Sequence, residues 1–160
     1  MDKKICVIFN FTKSQTMQNK LTLTDKLNHI KNLFILGKSD CVLDEKEIQI
    51  ISEIAKHHQL TIKEISYILN EKSELDFSLP ETFIARLSLL YDLVLLMVTD
   101  LKIHQNEKEI CLDLAKKFEF NPHIINELTD DILNFTLNGK ECDEAMQYLI
   151  KYAHPKANLN

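Results

Sequence analysis

Along most of the chain, apolar residues recur every three to four positions, the period of a helix with one buried face. From Thr24 or Asp25 the residues Leu27, Ile30, Leu33, Phe34 and Gly37 share one stripe, which predicts a helix ending near Lys38. A second helix begins after Asp44 and turns Ile48, Ile51, Ile54 and Ala55 inward as far as His57 or His58. Thr61 followed by Glu64 has capping-box spacing for a third helix, with Ile62, Ile65, Ile68 and Leu69 buried. The stretch Lys72 to Leu79 loses the period and reads as a connector. Pro80 suits the first turn of a fourth helix, whose Phe83, Leu87, Leu90, Val94 and Met97 or Val98 make it the best candidate for the centre of the molecule. A fifth helix starts near Gln105 and points Ile110, Cys111, Leu114 and Phe118 inward. The sixth opens at Asn121-Pro122, carries Ile125, Leu128, Ile132 and Phe135, and stops at Asn138-Gly139. A last helix runs from Glu141 to about Tyr152 and is closed by Pro155. Residues 1–23 break the pattern, because Ile5, Val7, Ile8, Phe9 and Phe11 resemble a strand in a chain that offers it no partner. That segment either covers the domain's own core or forms an exposed anchor.

The helices fall into two related sets. A shift of sixty positions, with no gap, superposes Leu27 on Leu87, Leu33 on Leu93, Leu36 on Leu96, Asp40 on Asp100, Glu47 on Glu107, Ala55 on Ala115 and Ile65 on Ile125. Such a repeat marks a unit that buries its apolar face against its twin. The expected fold is therefore all-α, about seven helices in two pseudo-repeated halves, about 24–72 and 80–138, with a C-terminal helix at 141–153. Residues 24–154 then make one domain.

Composition agrees with long uninterrupted elements: of 160 residues 45% are apolar, and only two are glycine and three proline. A formal charge of −5 gives no general attraction to phosphate backbones or anionic lipid, so nucleic acid is not the expected partner. Cys6, Cys41, Cys111 and Cys142 form no C-x-x-C pair and read as free thiols of a reducing compartment. The short run ICVIFNF lacks a cleavage site, and the rich segment from Phe83 to Val98 is interrupted by Arg86 and Asp92, so neither a signal peptide nor a transmembrane segment is expected. These features predict a cytoplasmic protein.

Candidate chemistry concentrates in the repeated acids, Asp40 with Glu47 and Asp100 with Glu107. Each Asp falls just past one helix and each Glu in the first turn of the next. A carboxylate at a helix C-terminus meets the negative end of the macrodipole, so either free backbone N–H groups or a bound cation must compensate it. Asp44 and Glu47 also have capping-box spacing, which offers a purely structural use. Spacings for an EF-hand, a di-iron bundle, H-E-x-x-H, Walker A and G-x-S-x-G are absent. His57-His58 at a helix end suits carbonyl capping, Asp130-Asp131 and Asp143-Glu144 suit solvated faces, and Met97 and Met146 suit core stripes.

The doubled Asp-x-x-aliphatic-x-x-x-Glu pattern resembles the TerB-like domain of bacteria, found in tellurite-resistance proteins and fused to modules such as a membrane-anchored DnaJ-type co-chaperone. Its signature places Ala before and Gly after the Asp, where this chain has Ser39 and Cys41 in one copy and Thr99 and Leu101 in the other. The resemblance covers about Asp25 to Ala153 and implies a metal site among Asp40, Glu47, Asp100 and Glu107. Carboxylate donors suit a divalent cation such as Ca²⁺, Mg²⁺ or Mn²⁺. The expected function is a non-enzymatic, metal-responsive module of stress or tellurite-type resistance. The alternative is a metal-independent scaffold whose groove receives an unknown protein partner. An enzyme would instead need His29, His57 or His104 gathered with carboxylates in a pocket.

Overall fold

The computed structural model describes residues 21–37, 45–70, 77–99 and 107–154. Seven α-helices lie among them: α1 Leu23–Gly37, α2 Glu45–His57, α3 Ile62–Asn70, α4 Phe83–Thr99, α5 Glu107–Lys117, α6 Ile125–Leu137 and α7 Cys142–Leu149, the last continuing into a 3₁₀ turn, Ile150–Ala153. The all-α class and the helix order match the sequence reading, whereas several boundaries move for local reasons. Thr22 and Asp25 cap α1 reciprocally, with Thr22 N–H to Asp25 Oδ2 at 2.9 Å and Asp25 N–H to Thr22 Oγ1 at 3.1 Å, so that helix starts earlier than its buried stripe. The expected Thr61–Glu64 box caps α3, with Thr61 N–H donating to Glu64 Oε2 at 2.6 Å. Pro80 lies outside α4, which Thr82 caps through its Oγ1. Pro80 instead offers its carbonyl to Arg86 Nε at 2.6 Å. The Asn121-Pro122 step forms a separate turn, closed by His123 N–H to Asn121 Oδ1, before α6 begins.

α4 is the centre. Leu87, Leu89, Leu90, Tyr91, Leu93, Val94 and Leu95 are all buried, as are the polar Ser88 and Asp92 between them, so the helix is buried around its whole circumference, as a helix enclosed by others must be. It touches α1, α2, α5, α6, α7 and the 3₁₀ turn. Three residues placed inward by periodicity lie outward: Ile48, Ile62 and Ile110 are exposed. Ile48 and Ile62 occupy first turns and Ile110 sits one step off the buried Cys111, where each helix has yet to reach the surface it packs on.

The internal repeat is visible in the backbone. α2 ends with Gln59 at φ 62° and α5 with Glu119 at φ 59°, sixty positions apart. Leu60 N–H reaches Ala55 O at 3.0 Å, and Phe120 N–H reaches Ala115 O at 3.1 Å. Both turns are Schellman caps that use a left-handed non-glycine residue. Gly139 (φ 67°) closes α6 in the same way, as its sequence position predicts. At equivalent places on α1 and α4 sit two buried polar residues, Asn32 and Asp92. Asn32 holds the segment before α4 by donating from Nδ2 to Ser78 O at 2.7 Å and accepting from Ser78 N–H at 3.1 Å.

Candidate functional site

Asp92 projects from the middle of α4 and is 3% exposed. An isolated buried carboxylate is prohibitively costly, so the local question is what compensates it. His29 of α1 lies 2.7 Å away, Nε2 to Oδ2, itself 3% exposed. His58, the residue after α2, brings its Nε2 within 3.9 Å of the same oxygen. Its backbone N–H bonds Ile54 O at 3.0 Å inside the Schellman turn, so the cap fixes the direction in which this imidazole leaves the chain. The two rings lie with centroids 4.6 Å apart. Burial pushes the Asp92 carboxyl up, but the hydrogen bonds and charges of His29 and His58 prevail and hold it down at about 2. Burial lowers His58, outweighing the opposing pull of its bond to Asp92.

His58 Nδ1 is buried and has no hydrogen-bond partner. Leaving a buried polar atom unpaired costs about 1–3 kcal/mol, a cost that an ion held through Nε2, the nitrogen that approaches Asp92, would leave in place. One donor atom from each of His29, His58 and Asp92 lies within 4.8 Å of the others. Four ligands at about 2.0–2.1 Å in a tetrahedron stand roughly 3.3 Å from one another. The two separations from Asp92, 2.7 and 3.9 Å, bracket that spacing, each about 0.6 Å from it, while the two imidazole donors are held only within 4.8 Å and would have to draw together around an ion.

The cluster meets the surface at two small clefts. One, of about 10 Å³, is lined by Asp92 with Ile54, His57, Leu95, Lys140, Glu141 and Cys142. The other, of about 20 Å³, has His58, Ser88, Cys142 and Asp143 in its wall. Each has room for about one water or ion. Asp143, expected on a solvated face, is buried and lies 3.8 Å from His57 Nε2. The Cys142 thiol is pushed well up by burial and by the nearby charges of Asp92 and Asp143, with a hydrogen bond from Ser88 opposing them. His57 and His58, expected to cap carbonyls, instead turn their rings toward these carboxylates.

The repeated acids are placed differently. Asp40 and Asp100 lie outside the described residues, as do Asp44 and His104. Glu47 stands half-buried in the first turn of α2, and Glu107 is the first residue of α5. Sequence periodicity misses Asp92 and reads His58 as a cap, because each sits alone on its own element. The signal lies in the comparison of the halves: at the equivalent positions His29 faces Leu89, His58 faces Phe118 and Asp92 faces Asn32. No protein-family model, curated protein or solved structure matches this chain.

Proposed function

We propose that this is a metal-responsive helical module whose ion is held by His29, His58 and Asp92, a binding protein in the TerB-like manner rather than an enzyme. The observation that carries the reading is a buried carboxylate flanked by two imidazoles whose donor atoms all lie within 4.8 Å. Two nitrogens and one oxygen suit Zn²⁺, Co²⁺ or another borderline transition ion better than Ca²⁺ or Mg²⁺. The ion would tie α1, the end of α2 and α4 together, so occupancy would set the rigidity of the first half against the central helix. A partner that reads this rigidity is how such a module would act in a stress response.

The test is thermal unfolding of the chelator-treated protein with Zn²⁺, Co²⁺, Mn²⁺, Ca²⁺ and Mg²⁺, since an ion that binds only the folded state raises its stability by mass action. A saturable rise with Zn²⁺ or Co²⁺ is expected, lost in His58→Gln and Asp92→Asn and retained in Asp40→Asn and Asp100→Asn. A rise with Ca²⁺, Mg²⁺ or Mn²⁺ that the last two substitutions abolish would move the site to the repeated acids. No rise with any ion would overturn both. The 2.7 Å His29–Asp92 bond favours a second reading in that event, a polar clamp that fixes the register of α1 on α4 in a scaffold for a protein partner.

A further inference from the structure

We propose that Cys142 supplies the fourth donor to the ion held by His29, His58 and Asp92, closing the site as a His₂AspCys tetrahedron selective for a thiophilic divalent ion such as Zn²⁺. This rests on the reading given above. Cys142 is the cluster's neighbour on both open sides, since it lines the cleft that reaches Asp92 and also the cleft that reaches His58. The second of these is lined by His58, a residue only 4% exposed. Ser88, one turn before Asp92 on the same face of α4, lines the same cleft as Cys142, which places the thiol against the helix that carries the carboxylate.

Charge gives an independent reason. A divalent ion bound by two neutral imidazoles and one carboxylate leaves one net positive charge in a buried site, which is costly. A thiolate as fourth ligand brings the sum to zero. Asp143, the other buried acid nearby, is already placed 3.8 Å from His57. The Cys142 sulfur lies outside the set of three atoms that share 4.8 Å, so closure requires it to move inward. Cys142 is the first residue of α7, where the preceding Glu141 has extended backbone (φ −65°, ψ 144°) and makes no side-chain cap bond, and Tyr91 already draws this end toward α4 by donating to Lys140 O at 2.6 Å. On binding, the S–H bond breaks as the metal–sulfur bond forms, and the proton leaves to solvent through the cleft. No oxidant or reductant takes part.

Cobalt titration of the full chain separates this proposal from the reading beneath it. Co²⁺ in the site gives visible ligand-field bands, and a thiolate ligand adds a near-ultraviolet charge-transfer band. The charge-transfer band is expected in the wild type and in Cys111→Ser and absent in Cys142→Ser, which should also bind Co²⁺ at least about tenfold more weakly. Ligand-field bands without a charge-transfer band, or one that survives in Cys142→Ser, would overturn the role of Cys142 and leave the three-residue site standing. No cobalt spectrum at all would overturn both. Should Cys142→Ser fail to fold, alkylation of Cys142 in the wild type, read on its peptide by mass spectrometry, decides the matter: Zn²⁺ must slow it at least about tenfold, and an unchanged rate refutes ligation.

Discussion

Replacing Asp92 with Asn removes one charge from the centre of the molecule while keeping the shape of the side chain. The carboxyl's pKa falls from an ordinary 3.8 to about 2 on folding. A depressed carboxylate stabilises the folded state above its unfolded pKa and ceases to do so as pH falls through the folded one, so this shift is worth roughly 2 kcal/mol at neutral pH. About half of that is gone by pH 3. Other acids titrate in the same window, Glu64 among them through its bond from Thr61 N–H, so the absolute stability is not the quantity to follow. The difference between wild type and Asp92→Asn cancels the acids outside the cluster and reports Asp92 together with the histidines it pairs with. Urea unfolding of both proteins in chelator, at steps from pH 7 to pH 3, should show a gap of about 2 kcal/mol at neutral pH that narrows to about half at the acid end, with unchanged m-values. A gap that stays constant with pH would refute the claim that the histidines hold Asp92 ionised. A larger loss, about 3–5 kcal/mol, is expected for Asp92→Ala, which also leaves His29 Nε2 without its partner.

Gln59→Gly and Glu119→Gly should each stabilise the protein by about 1 kcal/mol, because each relieves a left-handed side chain, and their effects should add. Urea unfolding of the singles and the double checks both points; a destabilising effect would refute the strain. Tyr91→Phe removes the donor to Lys140 O, a 2.6 Å bond between α4 and the start of α7, and should cost about 1–2 kcal/mol. Asn32→Ala leaves both backbone groups of Ser78 without their partner and should cost about 2 kcal/mol or more, with proteolysis between α3 and α4 accelerating. An unchanged cleavage rate would show that the connector is held by other means.

The sequence predicts the helix order because burial on one face leaves a period, and the stops at Gly139 and the Thr61–Glu64 box are local chemistry that any reader of the chain can find. Boundaries such as Thr22 and Thr82 are less visible, since a cap competes with the apolar stripe in deciding where a helix starts. The candidate site is a different case. His29, His58 and Asp92 come from three elements, and each alone resembles a helix-face polar residue or a cap. Only tertiary packing brings them within 4.8 Å. Conversely, the repeated acids have conspicuous spacing, yet the two within the described residues, Glu47 and Glu107, sit at helix starts, where a carboxylate is useful to the backbone whatever else it does.

The paired turns at Gln59 and Glu119 have a bearing on engineering. Each half delivers its helix-end residue through the same backbone path, so the sixty-position shift carries His29 and His58 of the first half onto Leu89 and Phe118 of the second, and Asp92 of the second onto Asn32 of the first. At those counterpart positions Phe118 stacks on Phe77 with ring centres 5.7 Å apart, and Asn32 is committed to Ser78. The cluster thus draws on both copies of the duplicated scaffold, two imidazoles from the first and the carboxylate from the second, while the counterpart positions supply packing and a backbone clamp. Leu89→His, Phe118→His and Asn32→Asp form the smallest graft that would build the cluster's repeat-related counterpart, and the mechanical cost of that graft would measure how far duplication has divided stability from function within this fold.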